Sequence, residues 1–545
     1  MFPYSLPVLS YHEKVKTMII GIDFGTCFSS AAIMNGLIPV TNYLKDETGE
    51  GIPSLFMYSA EQDKELYGDE CNKGNTFLHS ADIIRYMKRT VRENPENLDM
   101  KIKSGGKEYT ISQVIEKFLT YLIAEIRTAA VNSGEFSNNE IEAVTITAPI
   151  GIAQDKMMAS DYNKLLQETV CRITELDKTK VRILQEPVAA AISYLYSQDI
   201  RTHYEDKQTV LVFDLGGGTL DVTAVQHDPK SMTYEILSKE GDLQLGGNEW
   251  DECLKKAVLK KIGIADEGSD EEKARLAKAI TKLKMDLTKS EESMIFFTMN
   301  GQDKFCKFSR KEFNDCTTEL LDCAMEVLNK AIEAVPGGIE SINKIVLVGG
   351  SSNMPQIKDR IEFEYDVLSN IEVLLYDPSK AIAKGAAVFA KMNSSINGSE
   401  FGGRVIDCAT MTYGFESHRG GAQTPMLYNM IYKNTPFDDT GLIRITTESD
   451  FVPLYDDQTL VEFDIYESEM HKNESNWFDM GSGESLNGLR CTVQVPPEFL
   501  GRARGFQMWV TLTLDVNGIL EISVRDRAGN KLSYASTVKN SSEGY

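Results

Sequence analysis

Two short stretches constrain this chain more than anything else in it: IIGIDFGTCFSSAAI near the N-terminus and VLVFDLGGGTLDVTAVQ at residues 210 to 226. Each reads as an apolar strand that ends in an aspartate, Asp23 or Asp214, turns through glycine, and returns as a second strand. A plain hairpin needs one or two glycines and has no use for acids at both ends of the bend. Here Asp214 and Asp221 bracket Gly216, Gly217 and Gly218. Consecutive glycines let a backbone approach something bulky and offer amide N–H groups to an anion, and an aspartate beside them points to an accompanying cation. Taken singly, either stretch also fits an ordinary tight turn. Two such turns, nearly two hundred residues apart, imply related halves that aim both acids into a shared cleft.

A third turn, KIVLVGGSSNMPQIKDRI, gives a strand, then Gly349-Gly350, then a helix with Pro355 near its start, a common resting place for a nucleotide. Neither GxxxxGK[ST] nor GxGxxG occurs, which disfavours P-loop and Rossmann readings. From about residue 18 to 392, short runs such as EAVTITAP, VRILQEP and TVLVFDL alternate with helical patterns such as ISQVIEKFLTYLIAEIRTAAV and EEKARLAKAITKLKMDLTKS. That alternation predicts α/β architecture. NSSINGSEFGG, at 393 to 403, reads as a linker. Beyond it, LVEFDIYESE, LRCTVQVPPEF and MWVTLTLDVNGILEISVRD are alternating strands, and Asn517-Gly518 signals a hairpin. The expected boundaries are an extension at 1–17, an α/β domain at 18–392, a linker at 393–410, a β-domain at 411–540 and a tail at 541–545.

The formal net charge of −24 opposes general binding to nucleic acid or an anionic membrane. Nine scattered cysteines with no CxxC pair argue against a disulfide framework or zinc ribbon, and six dispersed histidines against an HExxH metal site. No apolar run of about 18 residues occurs, and the start, MFPYSLPVLSYHEKVKT, lacks the basic and apolar regions of a signal peptide. A cytoplasmic protein without a membrane span is expected.

The motifs GIDFGT, VFDLGGGTLDVT and VLVGGSSNMP resemble the two phosphate motifs and the adenosine motif of the actin, sugar kinase and heat-shock ATPase superfamily. LQEPVAAAISYLY and GDLQLGGNEWD narrow the resemblance to the heat shock protein 70 chaperones. LYDDQTLVEFDIYESE and LDVNGILEISVRD are similar to that family's peptide-binding β-domain. The resemblance runs in order over roughly residues 18 to 540. It implies an α/β actin-like ATPase fold, with two related lobes around a nucleotide cleft, followed by an all-β sandwich. It also implies ATP or ADP with Mg²⁺ in the cleft.

Phosphoryl transfer needs charge neutralisation and positioning more than covalent help from the protein. Asp23, Asp214 and Asp221 are hard oxygen donors for Mg²⁺, directly or through its water shell. Gly25, Thr26, Gly216, Gly217, Gly218 and Thr219 would donate to the β- and γ-phosphates. Glu186, just before Pro187 at a helix start, resembles the family's glutamate near the metal and catalytic water, although an acid there also stabilises a helix N-terminus. The family's lysine, in a KR pair, matches Lys88 in Met87-Lys88-Arg89, and spacing from Gly68 favours that register. A register four residues earlier puts Ile84 in its place and leaves hydrolysis crippled. The catalytic candidates are thus Lys88, Glu186, Asp214 and Asp221.

In the adenosine pocket the family's glutamate, lysine, arginine and serine fall on Thr281, Lys284, Met285 and Thr288, while Asn353 and Ser379 stand for an arginine and an aspartate. Lys284, Thr288, Gly349, Gly350 and Ser351 are the remaining nucleotide-binding candidates. Each lost guanidinium plane removes about 0.5–2 kcal/mol of stacking on the base, so a weaker or less selective hold on adenine is expected.

The family's peptide pocket maps onto Met411, Tyr413, Phe415, Phe451, Val461 and Phe463, with Leu454 in the arch over the peptide. Alternation puts Val461, Phe463 and Ile465 on one face, which suits sandwich core and pocket equally. Gly403-Arg404-Val405-Ile406-Asp407 is less apolar than the family's linker, and no helical lid follows the β-domain, so fast peptide release and altered coupling are expected. Extended client peptides, a J-domain co-chaperone and a nucleotide exchange factor are the partners the resemblance implies. The expected function is an ATP-dependent chaperone that hydrolyses ATP with magnesium and binds apolar peptide segments. A nucleotide-gated scaffold without hydrolysis and a small-molecule kinase of the same superfamily are the alternatives.

Overall fold

The computed structural model describes residues 17–536 apart from 42–43, 45–50, 74–81, 94–97, 137–139, 149–155, 203–205, 265–268, 300, 370, 395–403, 422–423, 439, 469, 471–474 and 517–518. The expected N-terminal extension (but for Thr17), residues 395–403 of the linker, the Asn517-Gly518 turn and the 541–545 tail lie outside the described residues.

Two six-stranded sheets repeat one plan. The first holds β1 (Met18–Asp23), β2 (Phe28–Asn35), β3 (Ile141–Ala148) and β4 (Val181–Gln185), in the order β4-β3-β1-β2, with Ile38–Val40 and Ile52–Pro53 also on β2. The second holds β5 (Gln208–Leu215), β6 (Leu220–Asp228), β7 (Thr233–Asp242), β8 (Lys344–Val348), β9 (Glu372–Leu375) and β10 (Arg404–Ile406), in the order β9-β8-β5-β6-β7-β10. In each sheet the first strand runs antiparallel to the next and parallel to a later one: β1 with β2 and β3, β5 with β6 and β8. Asp23 ends β1 opposite Ser30, and Asp214 nears the end of β5 opposite Asp221. The repeat read from two glycine turns is therefore a repeat of topology.

Parallel strands covered on both faces need continuous apolar runs, which Val210–Phe213 and Ile345–Val348 supply as fully buried segments. Between the sheets lie the helices Glu186–Thr202 and Ala381–Ser394. Ala189, Ala190, Ala191, Ala383 and Ala387 pack there with Ile19, Val212 and Val346 in one core. On the outer face of the first sheet, the helix Ile111–Asn132 buries Ile111, Val114, Ile115, Phe118, Leu119 and Leu122, the three-and-four spacing of an amphipathic helix. It starts at a Thr110–Gln113 capping box. The helix Asp270–Lys289, capped by Ser269 and Glu272, packs similarly beside the second sheet.

Residues 412–536 form two antiparallel sheets. One orders Trp477–Asp479, Met426–Ile431, Thr412–Ser417, Leu460–Ser468 and Glu484–Gln494; the other Leu442–Thr446, Met508–Asp515, Leu520–Asp526 and Lys531–Ser536. Met508, Val510, Leu512 and Leu514 alternate into the shared core, the sandwich pattern. The strands flanking Asn517-Gly518 pair as the hairpin signal predicts.

The linker is in part a strand. The helix before it runs to Ser394, and Arg404–Ile406 forms β10, a sixth strand parallel to β7. Composition marked 393–403 as loop; Arg404–Ile406 falls where the resemblance places a linker strand, and β7 offers it an open edge to pair with. Asp407 then accepts from Gln185 Nε2 at 3.2 Å and pairs with the buried Lys239, while Lys433 of the β-domain pairs with Glu240 at 2.7 Å.

Candidate functional site

Both glycine turns are pinned by their carbonyls. Gly216 O and Gly217 O accept from the Gly247 and Asn248 N–H groups at 3.0 and 2.8 Å, at the start of the helix Gly247–Ile262. In the first turn, Gly25 O accepts from Ser54 Oγ at 2.7 Å, and Cys27 O from Ser54 N–H at 2.8 Å. Holding the carbonyls back leaves the Gly217 and Gly218 N–H groups without a hydrogen-bond partner among the described residues. Gly216 departs from its expected role: its N–H donates to Thr219 O at 3.0 Å and closes the turn.

The two turns meet. A Cβ on Gly217 would lie 2.7 Å from Cys27 Sγ, and one on Gly246 only 2.5 Å from the Gly218 backbone. The third turn joins them at Gly349, which sits at φ 81° with its Cα hydrogen facing Leu215 O and Asp214 Oδ1. At Gly246 and Gly349, where the neighbours include backbone, only glycine permits these approaches. Ser351 Oγ lies against Gly247, and Gly350 O accepts from Asn353 Nδ2 at 2.9 Å.

The acids converge with one cation. Tyr86, at φ 54°, redirects the chain into the helix Met87–Glu93, whose first turn buries Lys88 against Glu186. Glu186 itself opens the helix Glu186–Thr202. Both side chains are nearly inaccessible, at 5% for Lys88 and 10% for Glu186. Ile84 bridges Phe56 and belongs to the core, so it is Lys88, one helical turn on, that reaches the acids. Burial first, then Glu186, pushes the Asp23 carboxyl up to about 7, with Lys88 opposing. Asp214 is raised well above the carboxylate range by burial, then by Glu186, Asp221 and Asp23. Arg89 reaches across to Glu249 at 3.6 Å, linking the first lobe to the helix that pins the second turn.

Among the described residues no group of three or more His, Cys, Asp or Glu side chains is placed to hold a metal ion. Asp23, Asp214 and Asp221 therefore do not form a direct ligand set. They suit a Mg²⁺ that keeps several waters, as this ion commonly does beside phosphates. Two N–H groups without a partner among the described residues, backbone at Gly25, Gly246 and Gly349 packed too closely for a Cβ, and buried carboxylates that disfavour one another's charge fit a hydrated cation with a polyphosphate anion.

The adenosine-side candidates are engaged elsewhere. Lys284 Nζ donates to Gly247 O at 2.7 Å and pairs with Asp251 at 3.0 Å. Thr288 Oγ1 donates to Lys284 O at 3.1 Å, and Thr281 to Asp251 at 2.9 Å. The sequence reading assigned no role to Gly246, Gly247 or Asp251, though GDLQLGGNEWD had singled them out.

In the sandwich, Tyr413, Phe415 and Phe463 lie in the core at 3% exposure or less, so they are not surface contacts. Strand alternation could not separate core from pocket there. Met411, Phe451 and Val461 are half-buried at its margin, and Leu454 N–H donates to Gln458 Oε1 at 2.8 Å. Phe415 leads outward through edge-to-face and tilted contacts with Phe451 and Tyr428 to Trp477, with centroids 5.0 to 5.6 Å apart. Tyr428 and Trp477 escaped the sequence reading, having no motif of their own.

Two lobes of repeated topology around facing acid–glycine turns, with a β-sandwich after them, define an actin-like ATPase fold carrying a second domain. The family model described as Hsp70 protein matches residues 19–544. The chain belongs to the Hsp70 family. It is 27% identical to the chaperone protein DnaK of Deinococcus radiodurans, over 96% of this chain and 79% of that one. The DnaK of Mycoplasmopsis synoviae is also 27% identical, over 97% and 80%. Heat shock 70 kDa protein 7, chloroplastic, of Arabidopsis thaliana is 27% identical over 96% and 69%.

Proposed function

We propose that this chain binds and hydrolyses ATP with Mg²⁺ in the cleft, and that the nucleotide governs how the β-sandwich holds extended apolar peptide segments. The observation that carries the reading is Lys88 buried against Glu186 beside Asp23 and Asp214, near a glycine cradle with N–H groups that have no partner among the described residues. Bound Mg²⁺ would neutralise charge on the phosphates. The Gly217 and Gly218 N–H groups hold an anion in place, and Thr26 adds a hydroxyl beside them. Glu186, paired with Lys88, accepts a hydrogen bond from water and orients it, while Lys88 supplies positive charge where negative charge accumulates. The β10 strand and the Lys433–Glu240 pair connect this lobe to the sandwich, where Phe451, Tyr428 and Trp477 offer an apolar wall. Client polypeptides are the proposed partners, with J-domain and exchange-factor partners carried over from the family.

The test is single-turnover hydrolysis of Mg·ATP by wild type, Lys88→Ala and Asp214→Asn. Turnover lost in both variants with nucleotide still bound supports the reading. A wild type that binds without turnover overturns the ATPase assignment and favours the nucleotide-gated scaffold.

A further inference from the structure

Away from the nucleotide cleft, the first lobe carries an open groove of about 880 Å³. Its walls come from the strands Lys64–Tyr67 and Lys107–Thr110, the helix Ile111–Asn132 and the end of the helix Lys156–Thr174. Tyr67 and Tyr121 stack there with centroids 4.9 Å apart and planes 11° from parallel. Thr120 and Ala124, small and exposed, leave the helix face beside Tyr121 open. Tyr67 and Tyr109 direct their hydroxyls onto Glu65 at 2.8 and 3.3 Å, whereas the Tyr121 hydroxyl bonds to no other described residue.

The charges around this aromatic floor are unequal. The two cations in the lining are already matched, Lys117 with Glu65 at 2.9 Å and Arg172 with Glu116 at 3.0 Å. Glu125 sits one helical turn beyond Tyr121, exposed and without an ion pair to a described residue. Burial first, and then the carboxylates of Glu125, Glu70 and Asp69, push the Tyr121 phenol up to about 12. A stacked aromatic surface next to an uncompensated carboxylate attracts cations, through the ring quadrupole and the charge together. The groove's open shape suits a chain segment more than an enclosed small molecule.

We infer that this groove docks a basic segment of a partner polypeptide, with a lysine or arginine side chain against the Tyr67–Tyr121 stack and Glu125 as its counter-ion. Such a contact lies outside both the nucleotide cleft and the peptide-holding sandwich. It gives an acidic chain a defined place to receive a basic partner.

The experiment uses the full chain and a fluorescein-labelled octa-arginine peptide, read by anisotropy at 50 mM and 200 mM salt. The expected result is saturable binding that Tyr121→Ala and Glu125→Lys each weaken about threefold or more, and the double variant about tenfold. Tyr121→Phe, which keeps the stack, retains binding. Asp359→Lys, an equal charge change on a distant exposed acid, leaves it within about twofold, and an unlabelled apolar peptide does not displace the label. Thermal melts and ATP turnover stay at wild-type values in the Tyr121 and Glu125 variants. Equal weakening by Asp359→Lys, displacement by the apolar peptide, or no effect of the Tyr121 and Glu125 variants would overturn the inference.

Discussion

Lys88→Met isolates the charge arrangement on which the cleft depends. Wild-type Lys88 is the cation that offsets Glu186, Asp23 and Asp214, and it does so almost out of contact with solvent. Removing one partner of a buried pair strands the other charge, at a cost of about 3–5 kcal/mol. Here the cost depends on pH, because Asp23 already takes up a proton near 7 and loss of Lys88 raises its affinity for that proton further. At pH 8 the carboxylates of Lys88→Met have no compensating charge and the full penalty applies. At pH 5.5 a proton replaces the missing cation and the penalty shrinks to about 1–2 kcal/mol. The assay is urea unfolding followed by tryptophan fluorescence, at both pH values, for wild type, Lys88→Met, Glu186→Gln and the double variant. Neutralising Glu186 as well should restore about half or more of the loss, giving a coupling energy of about 2 kcal/mol. A loss below about 1 kcal/mol at pH 8, or no rescue by Glu186→Gln, would refute the reasoning.

Asp23 yields a second prediction. Its pKa in the fold, about 7, lies above the ordinary 3.8, so its contribution to stability is complete below pH 3.8 and is lost as pH rises through 7. A cation that takes the proton's place should therefore raise the melting temperature more at pH 8 than at pH 5.5, checked with Mg·ADP by thermal shift. Gly246→Ala puts a methyl 2.5 Å from the Gly218 backbone, so nucleotide affinity should fall at least tenfold by titration, with about 1–3 kcal/mol of stability. Because Lys284, Thr288 and Asn353 are bonded within the chain, ATP and GTP should compete within about tenfold of one another in equilibrium binding. Phe463→Ala should cost about 3–5 kcal/mol of sandwich stability, whereas Phe451→Ala, at the margin, should mainly weaken peptide binding in anisotropy titrations.

The repeated lobes were legible because a strand, an acid and a glycine turn are local features, and β1 and β5 carry all three within a dozen residues. Lys88 was readable only as one of two registers. Choosing between them needed the position of Glu186, nearly a hundred residues away, and the burial of Ile84. Gly216 was assigned as a donor by its neighbours, yet its N–H closes its own turn, a distinction that lies in backbone angles rather than composition. Tyr413, Phe415 and Phe463 show the limit of alternation, which gives a face but not what covers it. The partner of Arg404–Ile406 was not legible: three residues pair through their backbone, and their side chains do not say which sheet edge they join.

In the proposed mechanism the nucleotide in the cleft governs the sandwich through β10 and the Lys433–Glu240 pair. The direct measurement is release of a labelled, extended apolar peptide from the Mg·ADP-bound chain after mixing with Mg·ATP, in wild type and in Lys433→Met. Release should be at least about tenfold faster with ATP in the wild type, and Lys433→Met should largely lose that acceleration. Release at one rate in ATP, ADP and no nucleotide would contradict that mechanism.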